Sequence, residues 1–343
     1  MPPSLILHNP MDMHLHLREG DMLASVLPFS AQPFSAAVVM PNLKTPITTT
    51  ALALAYKEQI TALNPHFTPL MTIFLTPELD KAELMRAKAA GIKILKLYPK
   101  GATTQSEGGV KDILCEKTLE IFALAEELGF ILSIHGESNG FCMEREAEFL
   151  PIFAHIAQNF PKMRVIIEHM SDRRSLECIE KYDNLYGTLT YHHISMNLDD
   201  VCGGMLNPHH FCKPMLKTKK DQEALLSAAL SAHRKISFGS DSAPHLESAK
   251  LSSKAAAGIF SSPIVLPALA ALFESHNALD SLQTFLSDRA IENYGLSDFV
   301  PKAITLEKAP YDVPCAIDSP LGRIIPLRAG ESLLWRIKAD DEC

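Results

Sequence analysis

Residues 92–135 read IKILKLYPKGATTQSEGGVKDILCEKTLEIFALAEELGFILSIH. Two short apolar runs, IKILKLY (92–98) and FILSIH (130–135), bracket a stretch of helical periodicity, EKTLEIFALAEELG (116–129), that stops at a glycine. A run apolar at almost every position suits a strand buried on both faces, as in a parallel sheet. Parallel neighbours need a crossover, which the helix between them supplies. Each run also carries a side chain out of place in an apolar core, Lys96 in the first and His135 at the end of the second.

The same unit recurs outward in both directions. Upstream lie MDMHLHL (11–17), SAAVVM (35–40) and LMTIFL (70–75); downstream lie RVIIEH (164–169), GTLTYHH (187–193) and KISFGSD (235–241). Helical stretches separate them. TTALALAYKEQITAL (49–63) follows the second strand. TPELDKAELMRAKAAG (76–91) follows the third, with Thr76 as N-cap, Pro77 at the first helical position and Gly91 as the stop. EAEFLPIFAHIAQNF (146–160), SLECIEKY (175–182) and TKKDQEALLSAALSAHRK (218–235) come next, the last opening on a Thr218–Asp221 capping box. PIVLPALAALFESH (263–276) closes the series. Eight alternations predict an α/β fold, a (β/α)8 TIM barrel over about residues 9–275. A doubly wound open sheet is the fallback, and no glycine-rich phosphate motif supports a nucleotide site. The tail, about 300–343, reads as a short appendage packed on the barrel, so that 1–343 is a single domain.

Forty acidic against thirty-two basic residues give a net charge of −8, which argues against nucleic acid or an anionic membrane as partner. No apolar run approaches the ~18 residues of a membrane span, and MPPSLILHNPMDMH (1–14) has no basic region of a signal peptide. Seven cysteines, at 115, 142, 178, 202, 212, 315 and 343, form no CxxC pair and read as reduced thiols of a cytoplasmic protein. Fourteen histidines are the unusual figure, because histidine is both metal ligand and neutral-pH acid/base.

In a TIM barrel, chemistry sits at the C-terminal ends of the strands. Here those ends carry His14 and His16, Asn42, Lys96, His135, His169, His192 and His193, and Asp241. His14 and His16, two apart on a strand, share a face and suit one cation. Lys96 in an apolar strand either pairs with an acid, Asp241 being the natural one, or is neutral and nucleophilic. A neutral amine reacts with carbon dioxide to give a carbamate that can bridge two metals. His135 and His169 taken singly read as satisfied core histidines. With the first pair they make four imidazoles, enough for two metals. Asp241 could equally be a turn or N-cap residue.

DMHLHLRE, MPNL, KLYPKGATT, IHGE, the EH after the sixth strand and GSDSAPH, in this order from about residue 9 to 270, resemble the dihydroorotases of the shorter bacterial type, within the amidohydrolase superfamily. The resemblance implies a (β/α)8 barrel with two Zn2+ per subunit. His14, His16 and Asp241 would bind the more buried zinc and His135 and His169 the second, bridged by N6-carboxylated Lys96. It makes Asp241 the catalytic acid/base beside a bridging hydroxide. Arg18, Asn42 and His245 would hold the substrate carboxylate. Leu216 and Ala257 would hold the pyrimidine ring by backbone groups, and Thr103 and Thr104 belong to a loop that closes on the substrate. The implied reaction is reversible cyclisation of N-carbamoyl-L-aspartate to L-dihydroorotate in pyrimidine biosynthesis, by a cytoplasmic homodimer. The sequence departs from the family pattern in MSD after His169, in GSD, and in KAAAGIF, which lacks cysteines. Two rivals differ in kind. A hydantoinase or dihydropyrimidinase would share the metal ligands but not need the carboxylate set. A non-catalytic barrel would have lost ligands. Glu137, Asp12 and His193 are candidates to orient the ligand imidazoles.

Overall fold

The computed structural model describes residues 3–339; Cys343 lies outside the described residues. Eight parallel strands run in chain order around one sheet: β2 (Met11–Leu15), β3 (Ala36–Val39), β4 (Thr68–Phe74), β5 (Ile94–Leu97), β6 (Ile131–Ile134), β7 (Arg164–Ile167), β8 (Leu185–Leu189) and β9 (Ile236–Phe238). The sheet closes through the segment after β9. Asp241 N donates to His14 O (2.9 Å), His16 N donates to Ser242 O (3.1 Å), and Leu15 bridges Ser242 in parallel. The barrel expected from the alternation is the fold.

Helices α1 (Gly20–Ala31), α2 (Thr50–Leu63), α3 (Lys81–Ala89), α4 (Glu116–Leu128), α5 (Arg145–Asn159) and α6 (Arg174–Lys181) follow the first six barrel strands in turn. After β8 come α7 (Tyr191–Ser195), α8 (Asp199–Cys202) and α9 (Lys219–Leu230); after β9 come α10 (Glu247–Lys250), α11 (Val265–Ser275) and α12 (Arg289–Tyr294). Local chemistry sets the ends. Thr218 and Asp221 form the expected capping box on α9. Gly129, at φ 78°, ends α4 in the left-handed conformation that glycine adopts without cost.

Two local expectations fail. The third helix starts at Lys81, because Asp80 and not Thr76 accepts from a third-position amide, Glu83 N, at 2.8 Å; Thr76 to Leu79 is only a turn. His192 and His193 do not end a strand. Thr190 caps α7 by accepting from His193 N, and both histidines ride on that short helix. The N-terminal helix α1 was not anticipated.

The main core lies between strands and helices. A smaller one, including Met11, Met13, Val38, Ile94, Ile131 and Ile166, fills the barrel interior and is plugged by Ala290 and Tyr294 of α12. The tail pairs with the N-terminal strand. β1 (Ser4–His8) pairs antiparallel with β10 (Ala303–Glu307), which pairs with β15 (Arg336–Ile337). Two ribbons, β11 (Tyr311–Asp312) with β14 (Ser332–Leu333) and β12 (Ile317–Ser319) with β13 (Gly322–Ile324), complete it.

Candidate metal centre and active site

Met11 and Met13 lie in the inner core, so strict alternation would turn His14 away from it. The pairing of β2 with β3 shifts register between Asp12 and Leu15, and this irregularity re-aims the strand. His14 and His16 then meet Asp241. His14 Nε2 is 3.3 Å from His16 Nε2 and 3.4 Å from Asp241 Oδ1, and His16 Nε2 is 3.2 Å from the same oxygen. Next to this triangle, His135 Nδ1 lies 3.2 Å from His169 Nε2. The His14 and His169 rings are 4.8 Å apart, joining the two groups.

Donor tautomers follow from the surroundings. His135 Nε2 is 2.7 Å from Glu137 Oε2, which fixes the proton there and leaves Nδ1 as a lone-pair donor. Burial pushes Glu137 up, but the His135 bond and the charges of Lys217 and Lys213 hold it below the usual range. Burial drives His14, His16 and His169 well below the usual histidine range, so all three are neutral, as metal ligands must be. Burial also pushes Asp241 up to about 6, against the attraction of His193, His135, Lys96 and Arg18.

Lys96 is fully buried with its ammonium 4.0 Å from the centre of the Tyr98 ring. Its acid is not Asp241. Nζ meets Glu168 Oε2, while Glu168 Oε1 accepts from Ser133 Oγ at 2.7 Å and lies 3.3 Å from His14 Nδ1. Glu168 was missed from sequence. Neighbours on a strand face opposite ways, so choosing His169 as inward consigns Glu168 to the outside. The chain leaves β7 at Ile167, and His169 has φ 38°. This turn lets both side chains face inward.

Backbone strain concentrates here. Arg18 (φ 59°), His169 (φ 38°) and Asp241 (φ 43°) all sit in the left-handed region, at a cost of about 1–3 kcal/mol each. Each of the two metal-type ligands is held in place. His169 N donates to Thr188 Oγ1 at 2.7 Å, and Asp241 N to His14 O at 2.9 Å. Asp12 grips backbone, not a ring: it accepts from His14 N (3.1 Å), Ser240 N (2.7 Å) and Ser240 Oγ (2.5 Å), locking β2 to the segment after β9.

Above the cluster, His16, Arg18, Asn42, Thr103, Thr104, Lys213, Asp241 and Ala257 line one pocket. Arg18 Nε donates to Pro244 O (3.1 Å), and Arg18 Nη2 is 3.1 Å from His245 Nε2, which is also 2.9 Å from Ala257 O. One ring nitrogen can serve only one of these, donating to Ala257 O or accepting from Arg18. Asn42 Nδ2 donates to Thr104 O (3.0 Å), drawing the 99–110 loop over the mouth; its Oδ1 is buried with no partner among the described residues. About 20 Å³ is left inside, room for roughly one water. Leu216, expected to act through its backbone groups, has its side chain in the main core. Lys213, three residues earlier, lines the pocket, and Nζ donates to Ala102 O at 2.9 Å. No periodicity marks a residue in so irregular a loop.

The amidohydrolase family model matches residues 12–278. A dihydroorotase of Helicobacter hepaticus is 75% identical over 99% of this chain and 100% of its own. The crystal structure of a Campylobacter jejuni dihydroorotase superposes with a TM-score of 0.94 at 41% identity, covering 99% of this chain and 98% of the other. A Saccharomyces cerevisiae dihydroorotase, solved with 5-fluoroorotic acid, gives 0.93 at 33% identity, covering 98% of each chain. The chain belongs to the dihydroorotase family of amidohydrolases.

The donor set suits this membership. Zinc in a tetrahedral site has bonds of about 2.0–2.1 Å, which places neighbouring donors roughly 3.3 Å apart. The His14, His16 and Asp241 atoms are separated by 3.2–3.4 Å and the His135 and His169 pair by 3.2 Å. His14 with Glu168 and His169 is a second group of close donors, and His192, His193 and Cys212 a third. In the third group His193 is already engaged, Nδ1 with Thr190 Oγ1 (2.9 Å) and Nε2 with Pro214 O (3.0 Å). That bonding makes it a brace for the Pro214 loop.

Proposed function

We propose that the protein is a zinc-dependent dihydroorotase that interconverts N-carbamoyl-L-aspartate and L-dihydroorotate in pyrimidine biosynthesis, acting as a cytoplasmic homodimer. The observation that carries this reading is that His16 and Asp241 of the donor cluster line one pocket together with Arg18 and Asn42, residues able to hold a carboxylate. His14, His16 and Asp241 would hold one ion and His135 and His169 a second. Lys96, once carboxylated, would lie between them. Burial holds Lys96 well below the usual lysine range, which favours the neutral amine, the form whose lone pair attacks carbon dioxide. Forming the carbamate makes an N–C bond and releases a proton, and Glu168 must part from Nζ to make room.

When bound, the metals supply an acidified water at neutral pH and polarise the amide carbonyl. The remaining steps belong to the chain. In ring opening Asp241 takes the proton of the attacking water and gives it to the leaving ring nitrogen; in cyclisation it starts protonated. Arg18 offers a guanidinium fork to the substrate carboxylate. Asn42 and His245 complete that grip. Thr103 and Thr104 close over it, with Ala257 and the Lys213 segment on the ring side.

A hydantoinase would share the donors but has no carboxylate to hold. The test compares L-dihydroorotate with uncharged dihydrouracil, and wild type with Arg18→Lys. The expected result is turnover of dihydroorotate alone, and a KM about tenfold or more higher in the variant with its metal retained. Equal turnover of both rings, or an unchanged KM, contradicts the reading.

A further inference from the structure

We propose that Lys250 is a positioning residue: its buried ammonium locks the two loop segments, 211–213 and 256–258, that form the ring side of the substrate pocket. Lys250 ends α10 and is 4% exposed. Among the described residues it has no carboxylate partner within ion-pair distance. Instead Nζ donates to Phe211 O (2.8 Å), Ala256 O (2.9 Å) and Gly258 O (2.7 Å). Three acceptors match the three donors of an ammonium. Burying a cation without a counter-ion is costly, and here the charge is met by carbonyls drawn from two separate loops, with the Phe211 ring 5.9 Å away.

Backbone bonds hold the same loops: Ala256 N donates to Ala249 O at 3.1 Å and Phe211 N to Pro208 O at 3.2 Å. Gly258 N donates to Phe211 O at 2.9 Å, so that one carbonyl serves both the clamp and the loop-to-loop contact. Gly258 has φ 147°, and a Cβ there would lie 2.8 Å from Ala243. The chain at 258 thus approaches the 243–245 segment as glycine allows and other residues do not. Ala257 stands between the two clamped carbonyls, and its own O lies 2.9 Å from His245 Nε2. Lys213, two residues past Phe211, reaches Ala102 O of the closing loop. One ammonium thus sets both the floor of the ring site and the base from which the loop is held.

This rests on the pocket being the dihydroorotate site, so the test has two independent readouts. The metal-loaded full chain is compared with K250M and K250Q. One readout is ring-opening kinetics with metal content; the other is backbone hydrogen exchange across 211–213 and 256–258. The expected result is a KM raised about tenfold with kcat kept within roughly threefold, metal content unchanged, and faster exchange in those segments. K250Q, which keeps a donor, should fall between wild type and K250M, and it serves if K250M does not fold. In K250A, added ethylammonium should bring KM back down. An unchanged KM with unchanged exchange overturns the proposal. So does a loss of kcat and metal content at constant KM, which would place Lys250 with the metal centre. If the wild type itself does not open dihydroorotate, the functional reading fails. Exchange alone then decides the clamp, and equal rates reject it.

Discussion

Asp241 is asked to do two things with one carboxylate. It faces His14 and His16 through Oδ1 at 3.4 and 3.2 Å, and in the proposed reaction it would shuttle the proton between water and ring nitrogen. Burial raises its pKa from 3.8 to about 6. Above that value the carboxylate prevails and can accept a proton, which ring opening needs. Below it the acid prevails and can donate, which cyclisation needs. A bound cation favours the carboxylate and moves the crossover lower without changing its sign. The pH–rate profiles of the two directions should therefore run opposite ways across this group, hydrolysis gaining and cyclisation losing as pH rises. Superimposable profiles would remove Asp241 from the proton path.

Among the elements, the loop after β7 shows how the scaffold holds a strained ligand. Glu146, buried on α5, accepts from Ser171 N (2.9 Å), Ser171 Oγ (2.5 Å), Asp172 N (3.2 Å) and Ser175 Oγ (2.5 Å). Glu146→Ala strands these donors and should cost about 3 kcal/mol or more, read as a lower urea midpoint at unchanged slope. A shift under about 1 kcal/mol would mean that water replaces the carboxylate. The eight strands were legible because a strand buried on both faces is apolar throughout. The α9 cap was legible because Thr218 and Asp221 have no competitor. At α3, Thr76 and Asp80 compete, and the hydrogen bond to Glu83 N decides for Asp80. The strand-end residues His14, His16, Lys96, His135, His169 and Asp241 could be named because polar groups in apolar runs stand out, and the structure brings them together. Glu168 and Lys213 could not be. One depends on a left-handed turn at His169, the other on the path of a loop, and neither leaves a periodic signal.

For the whole molecule, the net charge of −8 contrasts with a pocket wall that carries Arg18 and Lys213. An anionic substrate, as proposed, would thus meet local cations in a chain that repels polyanions overall. No described helix is long and apolar enough to cross a membrane, and the six described cysteines are free. The tail is part of the same body, since β10 covers β1 and β13 touches Leu246 beside His245. Five donors and Lys96 at one barrel mouth point to a metal-dependent dihydroorotase. The most direct test assays ring opening of L-dihydroorotate on purified protein, then after chelation, then with zinc restored. The expected result is turnover, its loss, and its return as about two zinc ions bind per chain. Two bound zinc ions without turnover, or turnover indifferent to chelation once the metal is shown to be gone, would contradict it.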